Sequence, residues 1–369
     1  MRRALVLAVA LALVACGGGK AKEGPKVAQT GIPPANPLAV QRMVEGVTAA
    51  KDPRMQTRAI ALLREAIQID PNLWEARFDL GVVLASQGDL ANAEEQLRAA
   101  AKTAPDREEV AVALGEVRRR RGSNREAATA LEDFVKDHPN AIEARTLLVA
   151  ALRDSGQHDK AIVQAREALV RKPGDASALA ELALCHLGKG ERDTAQLLVK
   201  QALDVNPKSA VAHRVQGLVH LAGGDDALAF QSFSKAAQED PRDTTSRLNM
   251  GAVLLRAGAY GKAAEQYRSA LAASPDEPTA QIGLAAALRG ESEGKNGKLL
   301  DEARALLEKV LERDPHNIAA LFNMGVLQAD SLKKPGDARP FFERFLEDAP
   351  KDHPARAEAE RQLKGAGKT

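Results

Sequence analysis

Hydrophobic residues are distributed differently in three parts of the chain. Residues 4–14 are an unbroken run of alanine, leucine and valine. Residues 17–37 have no apolar periodicity, and four prolines there interrupt any helix. From residue 38 onward, small and apolar residues recur with a fixed period. Such a period predicts an array of short structural repeats instead of two or three separate globular domains.

Prolines mark the period of the third part. They stand at seven equally spaced positions, and the series continues irregularly at Pro315 and Pro350. An alanine stands twelve residues before each of these nine prolines, and a glycine stands seventeen residues after each of the first six. Glycine is typical of a turn, and proline of a position where a helix stops. The equally spaced prolines are Pro71, Pro105, Pro139, Pro173, Pro207, Pro241 and Pro275.

These positions resemble the tetratricopeptide repeat, in which two antiparallel helices fill roughly 34 residues and small residues let them approach closely. The resemblance covers residues 38–352 as about nine repeats, the first of them degenerate. It implies an all-α, right-handed superhelical solenoid in which the first helix of each repeat lines the concave side. Repeat eight is six residues longer than the others, so residues 289–298 are expected to bulge at its turn. A capping helix and tail are predicted over residues 353–369.

The amino-terminal part resembles the export signal of bacterial lipoproteins. Residues 1–15 combine two arginines, the apolar run and a small-residue site, and Leu13-Val14-Ala15-Cys16 matches the lipobox in which the cysteine is acylated. The resemblance implies a signal peptide over residues 1–15 and a lipidated flexible tether over residues 16–37. The apolar run is too short to span a bilayer core of ~30 Å as a helix. An ordinary secretory signal with an incidental cysteine is the alternative.

The residue after Cys16 bears on the membrane. In proteobacterial lipoproteins an aspartate at this position favours retention in the inner membrane, whereas this chain has Gly17. The resemblance therefore implies a protein anchored by acyl chains such as palmitate to the periplasmic face of the outer membrane.

Composition favours helices and argues against one class of partner. Charged residues make up 28% of the chain and aromatic residues 3%, which is unlike a β-sandwich or a barrel. Lys+Arg number 52 and Asp+Glu number 50, and the two become equal once Arg2 and Arg3 leave with the signal peptide. A neutral chain is not expected to bind a nucleic-acid backbone.

The sequence carries no recognisable catalytic constellation. It lacks a Gly-rich phosphate loop, a nucleophile elbow and a CxxC pair, so we predict no enzyme activity and no cofactor. Cys185, His186 and His220 come nearest to a metal site, but no further ligand can be named, and we interpret them as core residues. Four arginines at 118–121 suggest an anion-binding patch. The simpler interpretation is that they complement the dipole of a helix C-terminus.

The resemblance assigns positions two, five, nine and twelve of each first helix to the groove. In repeats two to four these positions include a charged track of Glu75, Glu109, Glu116, Arg119, Glu143 and Arg153. In repeats five to nine they are mostly apolar, with Arg214 and Arg289 as exceptions. Such a track predicts the docking of an amphipathic helix or apolar peptide of a partner, unless curvature or the terminal segment covers it. The predicted binding residues are Leu184, Leu187, Leu218, Leu221, Leu248, Leu255, Ile282 and Phe322.

Family members that clamp the carboxylate of a chaperone tail carry Lys and Asn at groove positions five and nine. Here those positions carry, for example, Phe78 and Val82. Binding of acidic carboxy-terminal tails in that manner is therefore not expected.

The combined features predict an interaction scaffold that binds envelope proteins through the groove and the outer membrane through Cys16. Lipobox, short tether and many repeats are similar to the lipoproteins of the myxobacterial gliding-motility apparatus and, over about six repeats, to those that support type IV pilus secretins. Gliding motility is the better match. The alternative is an adaptor or regulator of periplasmic cell-wall enzymes. A third class, binding of a small apolar ligand, is disfavoured because open solenoids rarely enclose a pocket.

Overall fold

The structure, a computed structural model, describes residues 35–366. The predicted signal peptide, Cys16 and nearly all of the predicted tether therefore lie outside the described residues. The described backbone forms nineteen α-helices and no strand, which confirms the all-α prediction. The helices are α1 Pro37–Ala49, α2 Gln56–Ile69, α3 Trp74–Ser86, α4 Leu90–Thr103, α5 Glu108–Arg120, α6 Asn124–Asp137, α7 Ile142–Asp154, α8 His158–Arg171, α9 Ala176–Gly188, α10 Arg192–Val205, α11 Ala210–Ala222, α12 Asp226–Glu239, α13 Thr244–Arg256, α14 Tyr260–Ala273, α15 Pro278–Ser292, α16 Gly297–Arg313, α17 Ile318–Val326, α18 Pro335–Asp348 and α19 Arg356–Ala366.

The helices belong to two compact units, which divide between Arg121 and Gly122. In the first unit α1 packs against α2, and α3 against α4. In the second unit the same hairpin recurs from α7 and α8 to α17 and α18, and α19 packs on α18. Each unit is thus a stack of two-helix repeats, each in contact mainly with its neighbours.

A small residue on the first helix of each hairpin faces a larger residue on the second. A Cβ atom added to Gly217 would lie 2.5 Å from the ring of Phe233, and one added to Gly251 would lie 2.6 Å from the ring of Tyr267. In the first unit Gly81 faces Leu97 in the same way, at 2.6 Å. The glycines are therefore required by the close approach of the second helix.

One hairpin differs: Val149 occupies the position of the first helix that carries a small residue in the others. Its equivalent partner on α8 is Ala165, and both residues are 1% exposed. Large and small side chains have exchanged helices in this repeat. The exchange keeps the packed volume roughly constant, which is the condition that a close-packed core imposes.

The turns follow the predicted chemistry. The glycine at each regular turn has φ between +71° and +84°, a conformation that costs other residues free energy.

At the turns between repeats, a side chain six residues after the proline often forms a hydrogen bond with the proline carbonyl oxygen and closes the first turn of the next helix. These bonds join Arg77 to Pro71, Arg145 to Pro139, His213 to Pro207, Arg247 to Pro241 and Gln281 to Pro275.

The prediction of a bulge at residues 289–298 is wrong. Residues 289–292 continue α15, and residues 297 and 298 begin α16. These helices have 15 and 17 residues, whereas the equivalent helices α13 and α14 have 13 and 14. Most of the insertion therefore extends the hairpin, because added helical residues satisfy their own backbone hydrogen bonds and a longer loop would not.

Repeat nine contains one extra residue, which is absorbed by a π-helical turn over Leu327–Ser331. The turn that follows has no glycine, and Lys333 takes the left-handed conformation with φ of 56°.

We expect Lys333→Gly to raise the free energy of unfolding by about 0.5–1 kcal/mol, because glycine adopts positive φ without the steric cost that a Cβ atom brings. Urea unfolding followed by circular dichroism measures the change. Lys334→Gly is the matched control, because Lys334 has φ of −118° and should gain nothing. Equal effects of the two substitutions would contradict this explanation.

Candidate partner-binding groove

Four pairs of first helices from successive repeats in the second unit touch each other. Contacts join α7 to α9, α9 to α11, α13 to α15 and α15 to α17. We call the side of these helices that carries positions two, five, nine and twelve the groove face. All eight predicted binding residues lie on these helices, because the regular spacing of the repeats returns the same position to the same side.

All eight predicted residues are half-buried. Each packs with part of its side chain on a buried cluster and keeps the remainder accessible. Leu184 and Leu187 lie on the cluster around Val199 and Val215, and Leu218 and Leu221 lie on the cluster around Phe233. Leu248, Leu255 and Ile282 share the cluster that contains Tyr267 and Leu288. Seven of the predicted residues thus lie on three separate clusters, and Phe322 lies on a fourth.

Phe322 differs from the other seven residues. Its ring centroid lies 6.1 Å from that of Phe342 and 5.3 Å from that of Phe345, and both partners are fully buried. Phe322 is therefore tied to the terminal core by aromatic contacts. Removing it would cost stability as well as binding surface.

Two arginines on the groove face of the second unit are neutralised by carboxylates. Arg153 pairs with Glu181 and with Asp154, the latter at 3.0 Å. Arg214 Nη1 lies 3.0 Å from Oδ2 of Asp243, whose side chain is 6% exposed. The pairs with Glu181 and Asp243 join one repeat to the next, so they stabilise the stack as well as neutralising its surface charge.

The groove face of the first unit is more acidic. Glu75 and Glu109 are half-buried there, as is Asp79 next to it, whereas Phe78 is buried and Val82 is 42% exposed. Burial, with a smaller effect of the negative Glu75 one turn earlier, raises the pKa of Asp79 to about 7. Asp79 was missed by the sequence analysis. Its signal was an acidic residue one position away from the groove set, between the buried residues Phe78 and Leu80.

The residues that came nearest to a metal site in the sequence, Cys185, His186 and His220, have different surroundings. His186 Nδ1 lies 2.5 Å from Glu191 Oε2, and burial raises the pKa of the Cys185 thiol to about 12. Among the described residues, no group of three or more His, Cys, Asp or Glu side chains is placed to hold a metal ion. A cavity of about 440 Å³ between α10 and α11 includes His220 and none of the eight predicted residues.

The four arginines at 118–121 are engaged within the first unit. Arg118 and Arg121 both pair with Glu94, which is 8% exposed. Arg119 pairs with Glu116 at 2.9 Å, and Arg120 donates to the carbonyl oxygen of Ala85 at 2.8 Å. The run therefore fastens the end of α5 to its own unit.

Family models of the tetratricopeptide repeat match this sequence. One covers residues 57–117, 152–219 and 298–363, which is more than half of the chain, and a second covers residues 112–177 and 248–291. The chain belongs to the tetratricopeptide repeat family. A tetratricopeptide repeat fold is typically a non-catalytic scaffold for protein–protein interaction, and members of the family bind peptide partners in a groove. No curated protein matches the sequence.

Solved tetratricopeptide repeat structures resemble this one. The crystal structure of the APC/C hetero-tetramer Cut9-Hcn1 matches 88% of this chain at 15% identity with a TM-score of 0.56, and this chain spans 62% of that one. A structure from the functional characterization of Pseudomonas aeruginosa pilF matches 60% of this chain and 97% of its own at 20% identity and a TM-score of 0.50. YrrB, a TPR protein with an unusual peptide-binding site, matches 53% of this chain and 97% of its own at 21% identity and a TM-score of 0.42. At these identities the likeness shows the fold alone.

No helix among residues 35–366 is both long and apolar enough to cross a membrane.

Proposed function

We propose that this protein is a docking scaffold that holds an apolar helix or peptide of a partner on the groove face of residues 176–326. The observation that carries the proposal is the half-buried state of all eight predicted residues. Such side chains are held in position by the core beneath them, yet retain apolar surface that a partner would remove from water. Other apolar residues of the second unit are more exposed but stand on second helices, as Leu197 does on α10 at 57%.

The proposed cellular setting is the bacterial outer membrane, with Cys16 acylated and the repeats on the periplasmic side. The support is the lipobox and the apolar run before it. Two or three acyl chains would hold the protein on the membrane, since each buried methylene contributes ~0.8 kcal/mol.

We propose further that the scaffold assembles or stabilises an envelope machine, with gliding motility favoured over a type IV pilus or a secretion system. The support is the resemblance in lipobox, tether and number of repeats. An adaptor for periplasmic cell-wall enzymes is the second candidate, because the same groove would also hold an enzyme.

Replacing both Leu218 and Leu248 with glutamate is expected to abolish partner retention, because two charges would have to be buried under the bound segment. The measurement is affinity purification of the full chain from detergent-solubilised envelopes, with mass spectrometry of the proteins retained. The matched control is Val163→Glu with Leu197→Glu, two positions on second helices that are 56% and 57% exposed. All chains must first show equal helicity, and Leu218→Ala with Leu248→Ala serves if the glutamates unfold the protein.

Retention of the same proteins by native chain and groove variant would show that the groove face does not bind them. Loss in the groove variant alone supports the proposal. The identity of the lost proteins then separates motility or secretion components from cell-wall enzymes.

In the same cells, Cys16→Ser should move the chain out of the membrane fraction, and an unchanged distribution would contradict the lipid anchor.

A further inference from the structure

Arg289 is the exception among the groove-face arginines of the second unit. Arg153 and Arg214 each meet a carboxylate. Within residues 35–366, by contrast, no hydrogen bond or ion pair involves the Arg289 guanidinium, and its Nε atom is buried without a hydrogen-bond partner. Of the guanidinium nitrogens only Nε is buried without a partner, so the two Nη groups of this half-buried side chain remain available to an acceptor.

The groove positions on the first helices before and after Arg289 are apolar. It lies at the end of the groove face on α15, two turns after Ile282. The equivalent position on α13 is Leu255, and the next first helix, α17, presents Phe322. The nearest acidic side chains in sequence, Glu291 and Glu293, are exposed, and neither pairs with Arg289. Among the described residues, the equivalent groove position on α13 and the groove residue Phe322 on α17 are therefore hydrocarbon, and Arg289 between them is a guanidinium without a carboxylate partner.

From this arrangement we infer that the segment bound on the groove face carries a carboxylate that pairs with Arg289. The inference rests on the proposed groove function and specifies the partner: an apolar helix or peptide with one aspartate, glutamate or terminal carboxylate where it meets α15, the helix next to the α17 end of the groove face. A guanidinium presents a rigid fork of donors that matches a carboxylate with two parallel hydrogen bonds. The apolar surface on either side would exclude water and strengthen the pair.

The same carboxylate would set the direction of the bound segment. The groove face runs from Leu184 on α9 to Phe322 on α17, and its apolar residues alone do not distinguish the two ends of a peptide. A charged contact on α15, which is nearer to the α17 end of the groove face than to the α9 end, makes the reversed orientation leave Arg289 covered and unpaired, which is the kind of penalty that produces specificity.

A display selection of random 16-residue peptides on the full chain tests this inference without a known partner. Selections are run on the native chain, Arg289→Gln, Arg289→Lys and Leu218→Glu with Leu248→Glu. Arg304→Gln is the charge-matched control, because Arg304 lies on the second helix α16 and already pairs with Asp301. Circular dichroism confirms that each variant is folded before selection.

We expect peptides from the native chain and from Arg304→Gln to be enriched both in apolar residues and in one acidic position. Peptides from Arg289→Gln should keep the apolar enrichment and lose the acidic one, and Arg289→Lys should restore it in part. Changing the acid of an enriched peptide to its amide should weaken binding about tenfold on the native chain and less than twofold on Arg289→Gln.

The outcomes separate the two proposals. Apolar enrichment without an acidic position on the native chain, or an acidic preference that survives in Arg289→Gln, overturns the role of Arg289 and leaves the groove function standing. Absence of apolar enrichment, or enrichment that is unchanged by the two leucine-to-glutamate substitutions, overturns the proposed groove function itself.

Discussion

Replacing Ala165 with leucine is expected to lower the free energy of unfolding of the second unit by about 3 kcal/mol, the upper part of the usual range for overpacking. Ala165 is 1% exposed on α8. It faces the position of the first helix that is small in the other hairpins. In this repeat that residue is Val149, so no space exists for a larger side chain. Hydrogen exchange of the α7 and α8 amides and urea unfolding would both measure the loss.

The decisive measurement is the double variant. Val149→Gly alone should also cost about 3 kcal/mol, because it removes a buried side chain and places glycine within a helix. Combined with Ala165→Leu it recreates the glycine–leucine pair seen at Gly81 and Leu97. The combined loss should then be smaller than the sum of the two losses by about 2–3 kcal/mol.

A control pairs Val149→Gly with Ala195→Leu, which lies on α10 and is also fully buried. The two sites belong to different hairpins, so their losses should be additive. Additive losses for Val149→Gly with Ala165→Leu as well would show that the exchange of large and small residues is coincidental.

Replacing Asp79 with asparagine is expected to stabilise the first unit above neutral pH and to have little effect at pH 4. Burial and then Glu75 raise the pKa of Asp79 to about 7 in the folded chain. Between the ordinary aspartate pKa of about 4 and pH 7, the folded state binds more protons than the unfolded state. The contribution of Asp79 to the stability of the native chain therefore becomes less favourable as pH rises through this window and is constant above it.

The expected gain from Asp79→Asn is on the order of 2 kcal/mol at pH 8, a figure reduced from the full pKa difference because the side chain is partly exposed. Trp74, the single tryptophan of the chain, lies on the same helix, so its fluorescence during urea unfolding reports on this unit. Glu75→Gln is the comparison. Glu75→Gln should reduce the difference in the free energy of unfolding between pH 4 and pH 8 without removing it, because burial is the larger cause of the raised pKa of Asp79. A pH dependence in Asp79→Asn equal to that of the native chain would contradict the explanation.

Much of the candidate site was accessible from sequence. Once the period is known, each position of a repeat returns to the same side of its helix, so Leu184, Leu218 and their equivalents could be assigned to one face without coordinates. What the spacing could not show is how much of each side chain remains accessible. Phe322 illustrates this, because its contacts with Phe342 and Phe345 depend on how α17 and α18 cross.

The sequence by itself determined the hairpins and the contact positions within them, because both follow from the repeat period and from residue size. Tertiary structure decided which charges are neutralised. Arg153, Arg214 and Arg289 look alike in the sequence, yet the first two meet carboxylates 28 and 29 residues away and the third meets none within the described residues. Tertiary structure also turned most of the expected bulge at 289–298 into helix. The physical reason is the same in both cases. Ion pairs, and the choice between loop and helix, depend on which residues adjacent helices place within a few ångströms of each other. A repeat period does not specify those residues.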